Sequence, residues 1–178
     1  DEISDLFPDS FDDSELGEIP KNWKFIDLHE IAEFQNGYAF NSKEYVEKSE
    51  SSLEVFRMGY IQRGGGFKED NSPVFSTTLS KGYQKKYTLE RNDLTIAMTD
   101  MKDKMAILGC CALIEESNRF LLNQRVGRIR VKDCKIIDSE YLYLYMNHPK
   151  NIDQIRSKSN SGVQVNLSTE VIKNTQIL

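Results

Sequence analysis

FLLNQRVGRIRVK, residues 120 to 132, is a basic stretch in an acidic chain. The 178 residues carry a formal net charge of −5, yet this stretch has four cations and no acid. The four are Arg125, Arg128, Arg130 and Lys132. Its alternation predicts a strand in which Arg128, Arg130 and Lys132 face one side while Ile129 and Val131 face the other. A one-sided row of cations raises the question of an anionic partner.

The negative charge of the chain is concentrated at its N-terminus. Residues 1 to 18 hold eight of the 28 acids and neither Lys nor Arg, so the rest of the chain has 20 acids against 23 bases. We expect residues 1 to 18 to be a solvated acidic linker that leads into one folded domain over residues 19 to 178. An acidic lead-in before a mildly basic body is also a weak indication of nucleic-acid contact.

Composition indicates a globular domain. With 39% hydrophobic and 29% charged residues the chain can bury a core. No run approaches the ~18 apolar residues of a membrane helix, and the N-terminus does not resemble a signal peptide. Three cysteines without C-x-x-C spacing argue against disulfides and zinc, and indicate buried, reduced thiols in a cytoplasmic protein. Trp23, the single tryptophan, is expected to anchor the core.

The order of predicted elements favours an α+β fold. The pattern predicts a helix over residues 27 to 34, a strand over 53 to 61, a flexible loop over 63 to 73 and a strand over 105 to 117. In a further strand, Leu94, Ile96 and Met98 should share one face. After Asp138 the period becomes helical, Pro149 breaks or restarts the helix, and Ser168 caps another. Strands followed by helices are typical of α+β domains rather than wound parallel sheets.

The sequence contains no convincing catalytic set. It lacks the G-x-S-x-G, Walker and G-x-G-x-x-G motifs. Asp9 together with Asp100-Met101-Lys102 has the composition of a metal-nuclease site, but such a D-x-K triplet occurs easily by chance. We therefore expect no catalytic residue and no metal site in this chain, and keep an enzyme only as an alternative.

Cations and aromatic residues are concentrated in the predicted loops. Between Arg57 and Lys132 the chain holds fourteen Lys and Arg against eight acids. In such positions lysines can neutralise phosphates, while Arg, Asn and Gln can pair with base edges. The alternative is a solubilising surface with aromatic side chains packed beneath it.

Five phrases, in order and spacing, resemble a known family. They are ELGEIPKNWKFIDLHEIAEFQNGYAF (15 to 40), LERNDLTIAMTD (89 to 100), FLLNQRVGRIR (120 to 130), EYLYLYM (140 to 146) and SGVQVNLSTEVIKN (161 to 174). Together they resemble a target recognition domain from the specificity subunit of type I restriction-modification systems, and the lead-in resembles that of the second such domain. Arg91-Asn92-Asp93 departs from the lysine-glycine-aspartate that the family often shows.

The resemblance implies a fold and a division of labour. The fold would be α+β, with a mixed, twisted β-sheet or β-helix-like core and C-terminal helices, as in DNA methylase specificity domains. The domain would recognise one half of a split double-stranded DNA target without catalysing a reaction. Methyltransferase and restriction subunits would carry S-adenosylmethionine, ATP and magnesium. The chain would be part of a larger subunit, because it stops at Leu178, before the family's helical spacer.

The resemblance also directs attention to particular side chains. Asn123 and Gln124 either make structural hydrogen bonds or recognise bases, and Gln164 either recognises adenine or caps the following segment. We expect base recognition mainly from residues 60 to 70, 79 to 87 and 100 to 105. The predicted DNA-binding residues are Arg57, Arg63, Lys68, Lys81, Tyr83, Lys85, Lys86, Lys102, Lys104, Arg125, Arg128, Arg130 and Gln164. One alternative is a module that binds the methyltransferase subunit and whose acidic N-terminus imitates DNA; another is part of a fused restriction-methylation enzyme.

Overall fold

The fold consists of short strands followed by helices. The computed structural model describes residues 9–14, 17–21, 23–77, 85–101, 105–160 and 162–178. The strands in these ranges are Phe11–Ser14 (β1), Gly17–Pro20 (β2), Ile26–Asp27 (β3), Ala32–Asn36 (β4), Tyr45–Val46 (β5), Leu53–Phe56 (β6), Phe75–Ser76 (β7), Leu94–Ala97 (β8), Thr99–Met101 (β9), Cys111–Leu113 (β10), Phe120–Leu122 (β11), Val126–Val131 (β12), Gln164–Asn166 (β13) and Gln176–Ile177 (β14). The complete α-helices there are Leu28–Ile31 (α1), Ser139–Met146 (α2), Pro149–Ser157 (α3) and Thr169–Lys173 (α4), and residues 85–87 are also helical.

An antiparallel four-stranded sheet supports the helices. Its order is β10-β8-β12-β4, with Ile129 opposite both Leu94 and Phe34. Leu94 and Ile96 are fully buried in one apolar cluster with residues of α2, α3 and α4, as their alternation predicts. The mixed α+β class with C-terminal helices is therefore confirmed.

A second four-stranded sheet encloses an aromatic core. Its order is β11-β6-β7-β5; β11 runs parallel to β6 and the other pairs are antiparallel. The Phe56 ring stacks on Tyr60 and meets Phe120 edge to face, with ring centroids 5.0 and 5.2 Å apart. Burial, and a hydrogen bond that the Tyr60 hydroxyl donates to Glu54, raise the pKa of Tyr60. The Arg119 guanidinium lies 4.5 Å from the Phe120 ring centre and pairs with Glu54, which fastens β11 to β6.

The C-terminal helices begin where their capping residues predict. The Asp138 carboxylate accepts hydrogen bonds from the backbone N–H groups of Glu140 and Tyr141, and Ser168 Oγ accepts one from Val171. Pro149 is at the start of α3, where its missing N–H removes no helical hydrogen bond, so it restarts the helix.

Three predicted elements are shorter in the structure. The helix predicted over residues 27 to 34 covers only Leu28–Ile31, because Ala32–Asn36 pairs with β12 instead. The strand predicted over 53 to 61 ends at Phe56, and a 3-10 turn, Met58–Tyr60, follows it. The strand predicted over 105 to 117 is Cys111–Leu113. In each case the strand boundary follows pairing with a strand that is distant in the sequence. Local periodicity carries no information about such a partner.

Two predictions about single residues are wrong. Trp23 is 49% exposed and touches the edge of the Tyr141 ring instead of anchoring the core. Cys110 and Cys111 are buried, but Cys134 is exposed. The lead-in contains an unpredicted hairpin, in which β1 and β2 pair antiparallel and carry mostly exposed residues.

Among the described helices, none is long and apolar enough to cross a membrane.

Candidate nucleic-acid interface

The cations of the basic face predicted on residues 120 to 132 are bonded to groups of the same chain. The stretch forms two strands, β11 and β12, rather than one. Arg130 makes two hydrogen bonds to Asp93, at 2.6 and 2.7 Å, and this carboxylate, only 1% exposed, raises the pKa of Arg130. Lys132 Nζ donates to the carbonyl oxygens of His29 and Glu30. These cations have internal partners, so the one-sided DNA-facing strand is not what the structure shows.

Arg128 is a buried cation that joins two segments. Arg128 is only 7% exposed, and its Nη1 donates to the carbonyl oxygen of Lys86 at 3.2 Å. Burial, with the neighbouring Arg130 charge, lowers the pKa of the Arg128 guanidinium. Arg128 therefore positions the backbone that carries Lys85 and Lys86. Both lysines are exposed, and Lys86 Nζ lies 5.6 Å from the Tyr87 ring centre.

Arg57 is held by an acid rather than presented freely. Its Nη2 contacts the Asp70 carboxylate at 2.5 Å and the Ser72 carbonyl oxygen at 2.6 Å. Although burial alone would raise it, the pKa of Asp70 is lowered by the Ser72 N–H and by Arg57, with a contribution from the exposed Lys68. These contacts fix the guanidinium beside the start of the 3-10 turn.

Residues 63 to 66 form an ordered turn, not the flexible loop predicted. Gly64, Gly65 and Gly66 all have positive φ values, and Gly66 N–H donates to the Cys111 carbonyl oxygen at 2.9 Å. A Cβ on Gly65 would lie 2.3 Å from the side chain of Asn147, so only glycine fits. Asn147 in turn bonds both the N–H and the carbonyl oxygen of Cys111. Arg63 is exposed at the start of this turn.

Strands β9 and β13 form a two-stranded antiparallel ribbon. Gln164 lies opposite Met101, and Asn166 lies opposite Thr99. The ribbon is joined to the main sheet at Met98, whose carbonyl oxygen accepts from Leu167 N–H at 2.8 Å. Gln164 is exposed, as are Met101 (54%) and Val163 (79%). Neither of the last two is predicted individually from the sequence, although Met101 lies in the segment 100 to 105 in which base recognition is expected.

The turn between β11 and β12 lies beside the base of the ribbon. Met98 N–H donates to the Arg125 carbonyl oxygen at 2.9 Å, and Asn123 N–H donates to the Phe56 carbonyl oxygen at 3.2 Å. Asn123 is half-buried, while Gln124 and Arg125 are exposed. Thr99 Oγ1 donates to the sulfur of Met58 at 3.2 Å, which brings the Arg57 segment to the same place. We call this region the ribbon end; it comprises residues 57–58, 98–101, 123–125 and 163–167.

The structure thus brings some predicted residues together and separates others. Arg125 and the Arg57 segment lie near the base of the ribbon and Gln164 lies at its tip, whereas Arg63 lies against the junction of α2 and α3 and the Lys85–Lys86 segment lies against β12. Lys81, Tyr83, Lys102 and Lys104 lie outside the described residues. Asn123 is tied by its backbone, but its Oδ1 is buried and has no hydrogen-bond partner among the described residues.

The ribbon end offers hydrogen bonds and cations rather than reactive groups. Asp100, the acid of the D-x-K triplet, accepts from the backbone N–H groups of Met101 and Ile107, so its carboxylate holds the loop. Among the residues that the structure describes, no three His, Cys, Asp or Glu side chains are grouped to hold a metal ion. A two-stranded ribbon with exposed side chains at its tip and an exposed arginine beside its base is a shape that the major groove of DNA admits.

Comparison with known proteins identifies the family. Residues 20–178 match the family model described as the type I restriction modification DNA specificity domain. The chain is similar to the type I restriction enzyme MjaVIII specificity subunit of Methanocaldococcus jannaschii, with 32% identity over 146 residues. It is also similar to the EcoBI specificity subunit of Escherichia coli, with 25% identity over 157 residues. These alignments cover 78% and 88% of this chain but 31% and 29% of the relatives, so the chain spans about a third of their length.

Solved structures show the same fold at low sequence identity. The S subunit of a type I restriction-modification system from M. genitalium matches with a TM-score of 0.58 and 12% identity, over 88% of this chain and 34% of that one. The HsdS subunit from Thermoanaerobacter tengcongensis gives 0.58 and 13%, over 94% and 35%. A chain from a type I R-M system studied for its complex assembly gives 0.64 and 14%, over 99% and 37%. With the family model covering nearly all of its length, this chain belongs to the type I restriction modification DNA specificity domain family.

Proposed function

We propose that this chain recognises one half of a bipartite double-stranded DNA target for a type I restriction-modification complex, and that it does so without catalysing a reaction. The ribbon end is the recognition surface. Arg125 lies beside the base of the ribbon, where it is suited to contact a phosphate, and the exposed ribbon side chains are suited to contact base edges. Arg57, nearby, is already engaged by Asp70. Membership of the specificity family supports this proposal.

The conformation of Arg125 is the observation that carries the proposal. Its φ of 69° lies in the left-handed region, which costs an arginine about 1 kcal/mol more than it costs glycine or asparagine. Its guanidinium has no ion pair or hydrogen bond to any residue that the structure describes, so no side-chain contact there offsets that cost, although its carbonyl oxygen accepts from Met98 N–H. A strained, exposed cation beside the ribbon is typical of a side chain retained for binding.

The rest of the proposed complex supplies the chemistry. S-adenosylmethionine, ATP and magnesium would be bound by methyltransferase and restriction subunits, which assemble with the specificity subunit. This chain would hold the complex at its target, with phosphate contacts fixing the register on the duplex. The methyltransferase could then flip the target adenine out of the base stack.

A salt titration of Arg125→Asn tests the proposed surface. Asparagine tolerates the left-handed conformation, so the variant should be as stable as the wild type or up to about 1 kcal/mol more stable. If Arg125 contacts a phosphate, the slope of log affinity against log salt should flatten by about 0.9. We would measure binding of the full chain to a mixed-sequence duplex at several salt concentrations.

The matched control is Arg91→Asn, which removes an exposed arginine from the opposite end of β8. Its salt slope should equal that of the wild type. An unchanged slope in Arg125→Asn would exclude Arg125 from the interface, and a wild type that does not bind duplex DNA would contradict the proposed function itself.

An exposed apolar surface favours a second candidate function, contact with another protein. Leu144 and Ile136 are 67% and 68% exposed, and with Trp23 they border two adjoining clefts that share Tyr141 and Leu178. Apolar patches of this kind mark protein contacts. We propose that this surface binds a protein subunit of the complex. Loss of co-purification with the methyltransferase subunit in Leu144→Ser, at unchanged DNA affinity, would support it; retained co-purification would count against it.

A further inference from the structure

The tip of the ribbon presents three side chains that have no evident internal role. Met101 and Gln164 are direct cross-strand partners, and Val163 precedes Gln164 in the chain. Met101 is 54% exposed and Val163 is 79% exposed. The Gln164 amide is also exposed, and no residue in the described ranges makes a hydrogen bond to it. Two apolar side chains and one amide are thus offered together to solvent.

The backbone beneath these side chains is held in place. Asn160 Oδ1 accepts from Asn166 N–H at 2.8 Å, and Asn160 N–H donates back to the Asn166 carbonyl oxygen at 3.3 Å. Val165, between Gln164 and Asn166, is 1% exposed and packs into the cluster beneath the helices. The exposed side chains therefore project from an anchored ribbon, so ordering them on a partner costs little backbone entropy.

The chemistry of the tip matches one base pair better than the other. In the major groove an A·T pair presents the N7 acceptor and N6 donor of adenine together with the thymine methyl group. A glutamine amide can pair with both adenine groups at once, and apolar side chains can contact the methyl group. A G·C pair has two acceptors on guanine and no methyl group, so it satisfies neither feature.

We propose that Gln164 recognises the adenine of one A·T base pair in the target, and that Met101 and Val163 contact the methyl group of its thymine. The proposal rests on the proposed function and specifies it further. Cross-strand partners have Cβ atoms about 5 Å apart, so the amide and the Met101 side chain can reach the two bases of one pair. The groove is about 12 Å wide and admits a two-stranded ribbon.

The test begins with selection of preferred duplexes from a randomised pool by the full chain. Each A·T pair of the preferred site is then replaced in turn by G·C, and affinities are measured for wild type and Gln164→Ala. The wild type should lose about 10- to 100-fold at the contacted position. Gln164→Ala should lose most of its preference at that position, retaining about the fourfold that the methyl contact supplies, and should keep its preferences at every other position. Gln154→Ala, which removes an exposed glutamine from α3, is the matched control and should keep every preference.

Replacing thymine by uracil at the same position tests the methyl contact without any change in the protein. Wild type should lose about fourfold in affinity, the value of one buried methyl group. The double variant Met101→Ala, Val163→Ala should bind both duplexes equally. A selected site whose preferences are identical in wild type and Gln164→Ala, with no effect of uracil, would overturn this inference alone. A wild type that selects no sequence would instead contradict the proposed function.

Discussion

Arginines that look alike in the sequence have opposite roles in the structure. Arg125 and Arg130 are five positions apart in one basic stretch. Arg130 is bound by Asp93, 37 positions earlier, whereas Arg125 is exposed in a left-handed turn. The local pattern gives charge and alternation but not the distant partner, so it placed both arginines on the DNA. The ion pair explains why Arg130 is absent from the surface that we propose.

Replacing Arg130 should change stability rather than DNA binding. In Arg130→Gln the buried carboxylate of Asp93 keeps its bond from Glu90 N–H but loses both charged donors. We expect the free energy of unfolding to fall by about 1–3 kcal/mol, measured by urea denaturation. At temperatures where the variant is folded, its salt slope for DNA should match that of wild type. A slope flattened by about one unit would show that Arg130 contacts phosphate after all.

Asp70 should make stability depend on acid pH. Its pKa is lower in the folded chain than in the unfolded chain, so the folded state binds fewer protons. The resulting stabilisation is fully present above the unfolded pKa and is lost as pH falls through the folded value. Between about pH 5 and 3, the stability difference between wild type and Asp70→Asn should therefore shrink. Urea titrations of both proteins across this range would measure it, and a constant difference would exclude Asp70 as the cause.

At the scale of elements, the glycine turn is constrained by contacts with distant residues that the composition does not reveal. Three consecutive glycines indicate a flexible loop, yet the turn at residues 63–66 is fitted against Asn147 and Cys111. Those contacts join residues 45 and 82 positions apart, and local sequence rules carry no information about such partners. The turn thereby holds Arg63 at a fixed place beside the start of α3.

Two alanine substitutions in this turn distinguish the cost of a left-handed backbone from the added cost of a steric clash. Gly64 and Gly65 both have positive φ, at 80° and 99°, but only Gly65 faces a neighbour within 4 Å. Gly64→Ala should therefore cost about 1 kcal/mol, while Gly65→Ala should cost about 2 kcal/mol or more because Asn147 must also move. Thermal unfolding of both variants would test this order, and equal losses would contradict the close fit.

Predictability from sequence differs between element types for a physical reason. The caps Asp138 and Ser168 act on N–H groups two or three residues away, and the alternation of Leu94 and Ile96 is equally local; both predictions are confirmed. The ends of the helix at residues 27 to 34 depend on pairing with β12, about 95 positions later, and were missed. Local chemistry sets the starts of helices, while strand boundaries are set by partners.

At the scale of the whole molecule, two cores meet along one antiparallel sheet. One core is aromatic and lies with the mixed sheet, and the other lies between β8, β12 and the C-terminal helices. The ribbon is joined to this frame through Met98 and Leu167, and α2 carries the exposed apolar side chain of Leu144. The resemblance to specificity subunits is confirmed, because the family model covers residues 20–178. Which side chains contact bases stays a prediction.

The most direct measurement of the central claim is a transfer of specificity. Residues 19 to 178 would replace the second recognition domain of a characterised type I specificity subunit, and adenine methylation would be mapped across a genome by long-read sequencing. We expect one half of the methylated motif to change while the other half stays the same, and Gln164→Ala to relax an A·T position in the new half. Methylation that persists with the original motif would contradict DNA recognition by this chain.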